Sequence, residues 1–360
     1  MAFHPPLPNP ARPLAVSAPE ESTGPDRAPT RVPLHPLAGV LEWRALAAFN
    51  EVGIRLSGAP LAANRTSRFG PRRAVSMGNI AEQTTVARAV QKRGVGLHTG
   101  AEAALALLPA PSDTGIVFVT SSGVEIPALA DSVVGTERAT SLGQGGGGVR
   151  AVEHILAALY ALGVDNARLE IDGPEVPAGD GSARGWVALI RQAGRKRLGR
   201  QRKTGTLRAP VWMGEGSSWA MVIPSRSALS LAVAVDYADT VVGRQIIWLP
   251  GAARRFAAEI APARTFAFQH ELEQLRAAGL AKGGGAENAF TVGPQGYSGP
   301  LRFADEVVRH KALDLLGDLS LCGRRLQAQV IAVRPGHRLN VALAKAVRAS
   351  LEKPVEHGPG

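Results

Sequence analysis

The sequence predicts an α+β fold made of two two-layer sandwich domains, each a mainly antiparallel sheet with helices on one face. Short apolar runs bounded by turn residues alternate with segments of helical periodicity. This order occurs twice along the chain, without the short repeat period that is typical of solenoids and propellers. With 45% hydrophobic and 20% charged residues, the 360 residues are enough for two globular cores.

The first 76 residues differ from the rest of the chain. Ten prolines lie between Pro5 and Pro36, a spacing that opposes regular helix and sheet, and only 40–57 has the pattern of a short helix. We therefore predict that 1–76 is a disordered extension. We also hypothesise that translation begins at Met77, which an intact mass of the native protein matching the full chain would refute.

The first domain is predicted to span 77–203. Its apolar patterns predict strands and helices in the order strands 103–108 and 115–120, helix 149–162, strand 167–171 and helix 183–193. Residues 191–208 are rich in Arg and Lys, and we predict the domain junction there. A solvated linker is favoured for this segment over an anion-binding or membrane-binding surface.

The second domain is predicted to span 204–352, followed by a flexible tail at 353–360. Alternating apolar residues predict strands at 229–235 and 327–333. Helical spacing predicts three helices, which cover 268–278, 305–321 and 339–351.

Composition excludes several classes of protein. The single cysteine, Cys322, cannot form an internal disulfide and rules out zinc-finger chemistry, so any metal must use His and carboxylate ligands. No apolar stretch approaches the length of a membrane span, and no secretory signal is recognised, which predicts a cytoplasmic protein. The net charge of +11 does not by itself identify a polyanionic partner.

The helix predicted at 305–321 carries a polar row opposite its apolar stripe. His310, Asp314 and Asp318 follow each other at intervals of four residues. Side chains four apart on a helix are neighbours, so His310 and Asp314 can converge on one point. An imidazole and a carboxylate suit a zinc-type ion, although such a pair alone is more often an exposed polar face or an ion pair.

Three further residues complete a possible chemistry. Glu153 and His154 lie beside the apolar face of helix 149–162, and His337 follows an apolar strand in a Pro–Gly–His turn. Taken singly they could be a surface charge, a partly buried histidine and a loop residue. Together with His310 and Asp314, however, His154 would give the three ligands and open fourth position of a catalytic zinc site. Glu153 could then take a proton from water, and His337 could protonate a leaving nitrogen.

From about Thr84 to Leu351 the chain resembles the UDP-3-O-acyl-N-acetylglucosamine deacetylase family, a zinc enzyme of lipid A synthesis. The resemblance rests on several motifs in order, which together are highly specific: GVGLHTG (94–100), VEHILAALYALGVDNARLEIDGPEVPAGDGSA (152–183), VGRQ (242–245), ARTFAF (263–268), GLAKGGGAENAFTV (279–292), LRFADEVVRHKALDLLGDLSLCG (301–323) and GHRLN (336–340).

The resemblance implies a role for each matching residue. His154, His310 and Asp314 would bind zinc, with ferrous iron as the alternative metal in cells. Glu153 would be the general base and His337 the general acid.

Four more residues gain roles only from this resemblance. Asp318 would orient His337, and Thr265 would stabilise the oxyanion. Phe266 would contact the sugar, and Lys311 the sugar or its diphosphate. The family also implies an active site between the two domains, a pair of helices in each, and a hydrophobic passage for the acyl chain in the second.

The implied partner is a small UDP-sugar with an acyl chain, and no nucleic acid is expected. The protein would act as a monomer with peripheral contact to the inner membrane. Lys282 and Glu287 depart from the usual family pattern. They leave open the alternative that the chain is a deacetylase for a different acylated amino-sugar nucleotide. The positive charge leaves open a second and less favoured alternative, a polyanion-binding protein.

Overall fold

The computed structural model of the protein describes residues 81–352. The predictions of a disordered extension, a helix at 40–57, a start at Met77 and a flexible tail at 353–360 all fall outside the described residues. The described residues belong to one compact unit.

Twenty strands occur among the described residues. Those of the first half of the fold are β1 Glu82–Val86, β2 Val90–Val95, β3 Glu102–Pro109, β4 Ile116–Thr120, β5 Glu125–Pro127, β6 Val133–Gly135, β7 Ser141–Gln144, β8 Gly147–Arg150, β9 Ala167–Asp172 and β10 Arg195–Gln201. Those of the second half are β11 Thr204–Gly205, β12 Val211–Glu215, β13 Ser218–Pro224, β14 Ser230–Tyr237, β15 Gly243–Leu249, β16 Thr265–Phe268, β17 Ala289–Gly293, β18 Gly296–Tyr297, β19 Arg325–Leu326 and β20 Ala328–Val333.

The α-helices of the described range are α1 Glu153–Ala161, α2 Arg184–Ala193, α3 Ala252–Arg255, α4 Leu272–Ala277, α5 Glu306–Ser320 and α6 His337–Glu352. A π-helical turn, Phe256–Ile260, directly follows α3. No helix in this range is long and apolar enough to cross a membrane.

Two five-stranded sheets form the framework, and they have the same topology. The first has the order β2-β3-β9-β4-β5 and the second the order β12-β13-β20-β14-β15. In each sheet the strand that comes last in the chain is central, is parallel to one neighbour and antiparallel to the other, while all other pairs are antiparallel. The predicted α+β class with two mainly antiparallel sheets is therefore confirmed.

Period-two patterning explains which face of each sheet is buried. In β3, Leu105 and Leu107 are fully buried, whereas Ala106 between them is only half-buried. In β14, Leu231 and Val233 are likewise fully buried. Because successive side chains point to opposite faces, these residues turn one face of each sheet toward the helices and the shared core.

Helices α1 and α5 pack against each other at the centre of the molecule. Gly317 of α5 lies against the start of α1, and a Cβ at this position would clash with the carbonyl oxygen of Glu153. Glycine therefore permits the close approach of the two backbones. This contact brings the first turn of α1 next to the middle of α5.

Most of the elements predicted from the sequence match the observed bounds within two residues, but three predictions are wrong in part, and most of the twenty strands were not predicted. Helix α1 begins at Glu153, because Gly147–Arg150 pairs as a strand with β7. Phe268 ends strand β16, and the helix that follows, α4, begins only at Leu272. His337 is the first residue of α6 and not part of an irregular turn.

The basic segment 191–208 is not an irregular linker. Its residues Arg195–Gln201 form β10, which pairs antiparallel with β1. Several of its charges are neutralised locally: Arg202 pairs with Asp165 at 2.8 Å and Lys203 with Asp113 at 2.7 Å. The domain boundary predicted in this segment stays a prediction.

Candidate metal centre and active-site cleft

Two helices from different halves of the fold supply the predicted metal ligands. His154 lies in the first turn of α1, and His310 and Asp314 lie one turn apart in α5. The Nε2 atoms of His154 and His310 lie 3.6 and 3.4 Å from the same oxygen, Oδ1 of Asp314. One ligand atom from each residue lies within 4.8 Å of the others. These three side chains could therefore hold one metal ion.

The hydrogen bonds around these residues fit a bound cation. Oδ1 of Asp314 is buried and accepts no hydrogen bond from the described residues, whereas Oδ2 accepts one from Lys311 Nζ at 3.3 Å. Nδ1 of His310 donates to the carbonyl oxygen of Ala263 at 3.1 Å, which leaves the Nε2 lone pair free to bind a metal. A buried oxygen without a donor is costly, so a cation at this position would satisfy it.

Protonation states around Asp314 also suit metal binding. Burial lowers the pKa of His310 to about 4, so its imidazole is neutral near pH 7. Burial alone would raise the pKa of Asp314, but the neighbouring His310 and Lys311 hold it well below its usual range. A neutral imidazole and a carboxylate are the forms in which these side chains bind a divalent ion.

Glu153 is buried beside this site, with only 4% of its surface exposed, so the alternative of a surface charge is wrong. Burial raises the pKa of its carboxyl group above the usual value. The backbone N–H of Thr140 donates to Oε2 at 3.0 Å. Oε1 lies 3.9 Å from Nε2 of His337, on the side toward the cleft. The carboxylate is thus held at Oε2 by the Thr140 amide, while Oε1 is directed toward His337.

His337 is bound to a buried carboxylate. Its Nδ1 donates to Oδ2 of Asp318 at 2.9 Å. Asp318 is fully buried and also accepts hydrogen bonds from Asn340 Nδ2 at 3.0 Å and from the Thr140 hydroxyl at 2.6 Å. Burial would lower the pKa of His337, but the Asp318 and Glu153 carboxylates outweigh it and raise this pKa to about 9. His337 is therefore protonated at neutral pH.

A cleft of about 590 Å³ opens above these groups, between the two halves of the fold. Eight of the nine residues predicted from the sequence line it, and the ninth, Asp318, lies behind His337. Thr265 and Phe266 begin β16 and form one wall. Nζ of Lys311 lies 5.7 Å from the centre of the Phe266 ring, which itself lies edge-on to His310 at 6.2 Å. The wall is extended by the aromatic rings of Tyr237 and Phe268.

The two departures from the family pattern lie on a surface loop. Lys282 and Glu287 are both exposed. The backbone N–H of Lys282 donates to the carbonyl of His98 at 3.1 Å, and that of Gly283 to the carbonyl of Leu97 at 3.0 Å. The loop is thus fastened across the rim of the cleft by its backbone, which leaves both charged side chains outside the metal centre.

Sequence reasoning missed Thr140, which donates to Glu153 and Asp318, and Asn340, which shares Asp318 with His337. Thr140 lies in a loop before β7, where no local pattern marks it. Asn340 stands three residues after His337, a spacing that would have revealed it had the helix been predicted to begin at His337.

Comparison with known proteins agrees with this geometry. Residues 83–349 match the LpxC family model, described as UDP-3-O-acyl N-acetylglycosamine deacetylase. A protein of Anaeromyxobacter dehalogenans named UDP-3-O-acyl-N-acetylglucosamine deacetylase is 43% identical over 270 residues, which is 74% of this chain and 87% of the relative. Proteins with the same name from Syntrophotalea carbinolica and a Nostoc species are 41% and 42% identical, over 75% and 74% of this chain and 89% and 99% of their own lengths. The chain belongs to the UDP-3-O-acyl N-acetylglycosamine deacetylase family.

Proposed function

We propose that this chain hydrolyses the 2-acetamido group of UDP-3-O-acyl-N-acetylglucosamine to the free amine and acetate, the committed step of lipid A biosynthesis. The observation that carries the proposal is the convergence of His154, His310 and Asp314 in the cleft that Glu153 and His337 also line. Family membership supports the same reaction and disfavours the alternatives of another amino-sugar nucleotide or a polyanion.

The proposed metal is zinc, with ferrous iron as the alternative in cells. Two imidazoles and one carboxylate form a donor set that zinc commonly takes in catalytic sites. When bound, the ion would act as a Lewis acid and lower the pKa of a coordinated water. His154, His310 and Asp314 would hold it there, with Lys311 and the Ala263 carbonyl orienting the ligands.

The acid and base roles follow from the two different protonation states. Glu153 would accept a proton from the attacking water at Oε1, the oxygen not fixed by the Thr140 amide. His337, charged at neutral pH, would donate its Nε2 proton to the leaving nitrogen as the C–N bond breaks. Asp318 would keep His337 charged and oriented through the bond to Nδ1.

The cleft wall offers positions for the remaining roles. Thr265 begins β16 at the cleft, where its hydroxyl would stabilise the negative charge on the carbonyl oxygen. Phe266 would pack against the sugar, and the Lys311 ammonium would contact the sugar or its diphosphate. The Phe266, Phe268 and Tyr237 rings give this side of the cleft an apolar surface suited to the acyl chain.

The proposed partner is a small UDP-sugar, not nucleic acid. We infer that the protein acts as a cytoplasmic monomer with peripheral contact to the inner membrane. The acyl chain of the substrate supports that contact, because it gives the substrate a share of lipid character.

The proposal is tested by metal analysis of anaerobically purified protein together with acetate release from the UDP-sugar. We expect about one zinc or iron per chain and acetate release that a chelator abolishes and added zinc restores. A panel of other acylated nucleotide sugars serves as the specificity control. Metal-loaded protein that releases no acetate from the UDP-sugar would overturn the proposal.

A further inference from the structure

The outer face of the second sheet, which points away from the helices, carries a continuous apolar row. Strand register aligns one residue from each of the five strands, from β12 through β13, β20 and β14 to β15. These residues are Trp212, Met221, Ile331, Ala232 and Trp248. The two indoles stand at the two edges of the sheet and are 54% and 52% exposed.

The adjacent row on the same face is apolar as well. Register aligns Gly214, Trp219, Val333, Ala234 and Ile246. Ile246 is 40% exposed on the edge strand β15. The exposed side chains of the two rows lie on the edge strands, whereas Met221, Val333 and Ala234 in the middle of the sheet are buried. We call the two rows together, from Trp212 and Gly214 to Trp248 and Ile246, the apolar face.

The matching face of the first sheet shows that the fold does not require this surface. The equivalent row there, from β2 through β3, β9 and β4 to β5, consists of Gln91, Ala106, Glu170, Val119 and Glu125. Three of these five side chains are polar and exposed. An exposed apolar patch of this kind on a monomer typically marks a binding surface.

Positive charge lies at one end of the strands of the apolar face. Arg208, just before β12, and Arg226, just after β13, lie at one end, exposed and without an acidic partner among the described residues. At the other end two guanidinium groups, of Arg244 and Arg334, share the single carboxylate of Asp236 at 3.3 and 3.8 Å. The loops at this end also carry the exposed Asp239 and the Glu215–Arg338 pair, so the charges balance there, and the net positive charge lies at the end with Arg208 and Arg226.

We propose that the apolar face docks this protein on an anionic lipid bilayer, with Trp212 and Trp248 at the headgroup level. The inference deepens the proposed function, whose substrate carries an acyl chain. Tryptophan prefers the membrane–water interface, and arginine beside it is attracted to anionic headgroups. The face lies on the half of the molecule that also carries the aromatic cleft wall of Phe266 and Phe268.

Charge favours a lipid surface over two other possible occupants of the apolar face, which are residues 1–80 of this chain and a second copy of the protein. Residues 1–80 contain nine Arg and five Asp or Glu, so this segment has the same sign of charge as Arg208 and Arg226. A second copy carries a net charge of +11 and its own Arg208 and Arg226. An anionic bilayer alone offers opposite charge together with an apolar layer.

The test is co-sedimentation of the full chain with phosphatidylcholine vesicles that contain or lack phosphatidylglycerol. We expect binding to the anionic vesicles that weakens with salt, and a loss of roughly 10-fold or more in the W212S/W248S variant. The V134S variant, which changes another exposed apolar side chain, should bind like the wild type. Equal binding by W212S/W248S with an unchanged melting temperature would overturn the proposal.

Arg208 and Arg226 have their own matched control. R208S/R226S should weaken binding to anionic vesicles by up to about 30-fold, since each arginine near such a surface contributes roughly fivefold. R93S/R197S removes the same charge from exposed positions of the first half and should have a smaller effect. Equal losses in the two double variants would mean that only net charge matters, which contradicts a defined docking face.

A depth measurement identifies the inserted residues. Lipids brominated near the headgroup should quench the tryptophan fluorescence of the wild type, and this quenching should disappear in W212F/W219F/W248F, which removes the three tryptophans of the apolar face. Persistent quenching would assign the contact to a tryptophan outside this face and overturn the proposal. A concentration-dependent dimer that W212S/W248S abolishes would also overturn the proposal, because the apolar face would then bind a second copy. Acrylamide that fails to quench Trp212 and Trp248 in the free full chain would overturn it as well, because the face would then be covered by the chain itself.

Docking and catalysis can fail separately. Acetate release measured without vesicles reports the proposed function and should be unchanged in W212S/W248S. Vesicle binding without acetate release would reject the proposed function and retain the docking surface. Acetate release without vesicle binding would retain the proposed function and reject the docking surface.

Discussion

The two halves of the described chain repeat one topology but differ on both faces of their sheets. On the helix side, the first half supplies one proposed ligand, His154, and a buried carboxylate, Glu153, from the start of α1. The second half supplies the two other proposed ligands from the equivalent helix α5, and His337 from the start of α6. On the outer side, the first sheet is polar and the second is apolar.

The difference shows how function is distributed over a duplicated framework. Strand order and core packing need only the inward alternation of apolar residues, which both halves keep. Side chains outside that pattern are free to differ, so the chemistry depends on individual residues and not on the fold. The proposed site is complete only where α1 and α5 meet, so neither half alone holds all of its groups.

The largest expected effect is the loss of the metal when either half loses its ligand. Substitution of His310 or His154 by Ala should remove most bound metal and lower turnover by roughly 1,000-fold, because the metal supplies several kcal/mol of transition-state stabilisation. Metal content and acetate release measure the two effects. His270, an exposed histidine stacked on Phe268, gives the control variant H270A, which should keep its metal. Full metal content in H154A would restrict the site to the second half.

The next effect separates the base of the first half from the ligands. E153Q should keep the metal and slow turnover by about 100-fold, since the amide cannot accept the proton. Metal analysis beside steady-state kinetics provides the measurement. E170Q, on the polar outer face of the first sheet, is the matched control and should be fully active. A fully active E153Q would show that the base is another group.

The pH profile tests the acid of the second half. Since His337 must be protonated and its pKa is raised to about 9, kcat/KM should fall as pH rises through about 9. The Asp318 carboxylate favours the charged imidazolium, so D318N should lower this pKa and move the alkaline limb to lower pH by about one unit or more. An unmoved limb in D318N would mean that His337 is not the group observed.

Thr140 tests the link between the halves, because its amide donates to Glu153 and its hydroxyl to Asp318. T140V keeps the amide and leaves Oδ1 of Asp318 without its donor, so we expect about a 10-fold loss of kcat with little change in KM. T140S should restore most activity. Equal activity in T140V and T140S would show that the hydroxyl does not position the acid.

The smallest effect is expected on the polar outer face of the first sheet. Arg168 pairs there with Glu125 and Glu170, and all three side chains are more than a third exposed. Exposed ion pairs contribute little, so R168A should lower the free energy of unfolding by less than about 1 kcal/mol. Denaturant unfolding measures this. A loss of several kcal/mol would mean that the charged face holds the first sheet together.

The fold class and the positions of the long helices and of several central strands could be predicted because they depend on local periodicity. The alternation in Ala103–Leu108 and the helical spacing in 305–321 are set by backbone geometry over a few residues. Errors occurred where tertiary pairing outweighed propensity. Gly147–Arg150 became a strand by pairing with β7, and the basic residues of β10 joined a sheet that their composition did not suggest.

The sequence by itself determined which side chains are candidates for the reaction, and the spacing of His310 and Asp314, because four residues make about one helical turn. Only the tertiary structure decided that His154 joins them, that Glu153 is buried and that Thr140 reaches the carboxylates of Glu153 and Asp318. These contacts join residues far apart in the chain. They depend on the close crossing of α1 and α5 at Gly317, and no local pattern encodes that crossing.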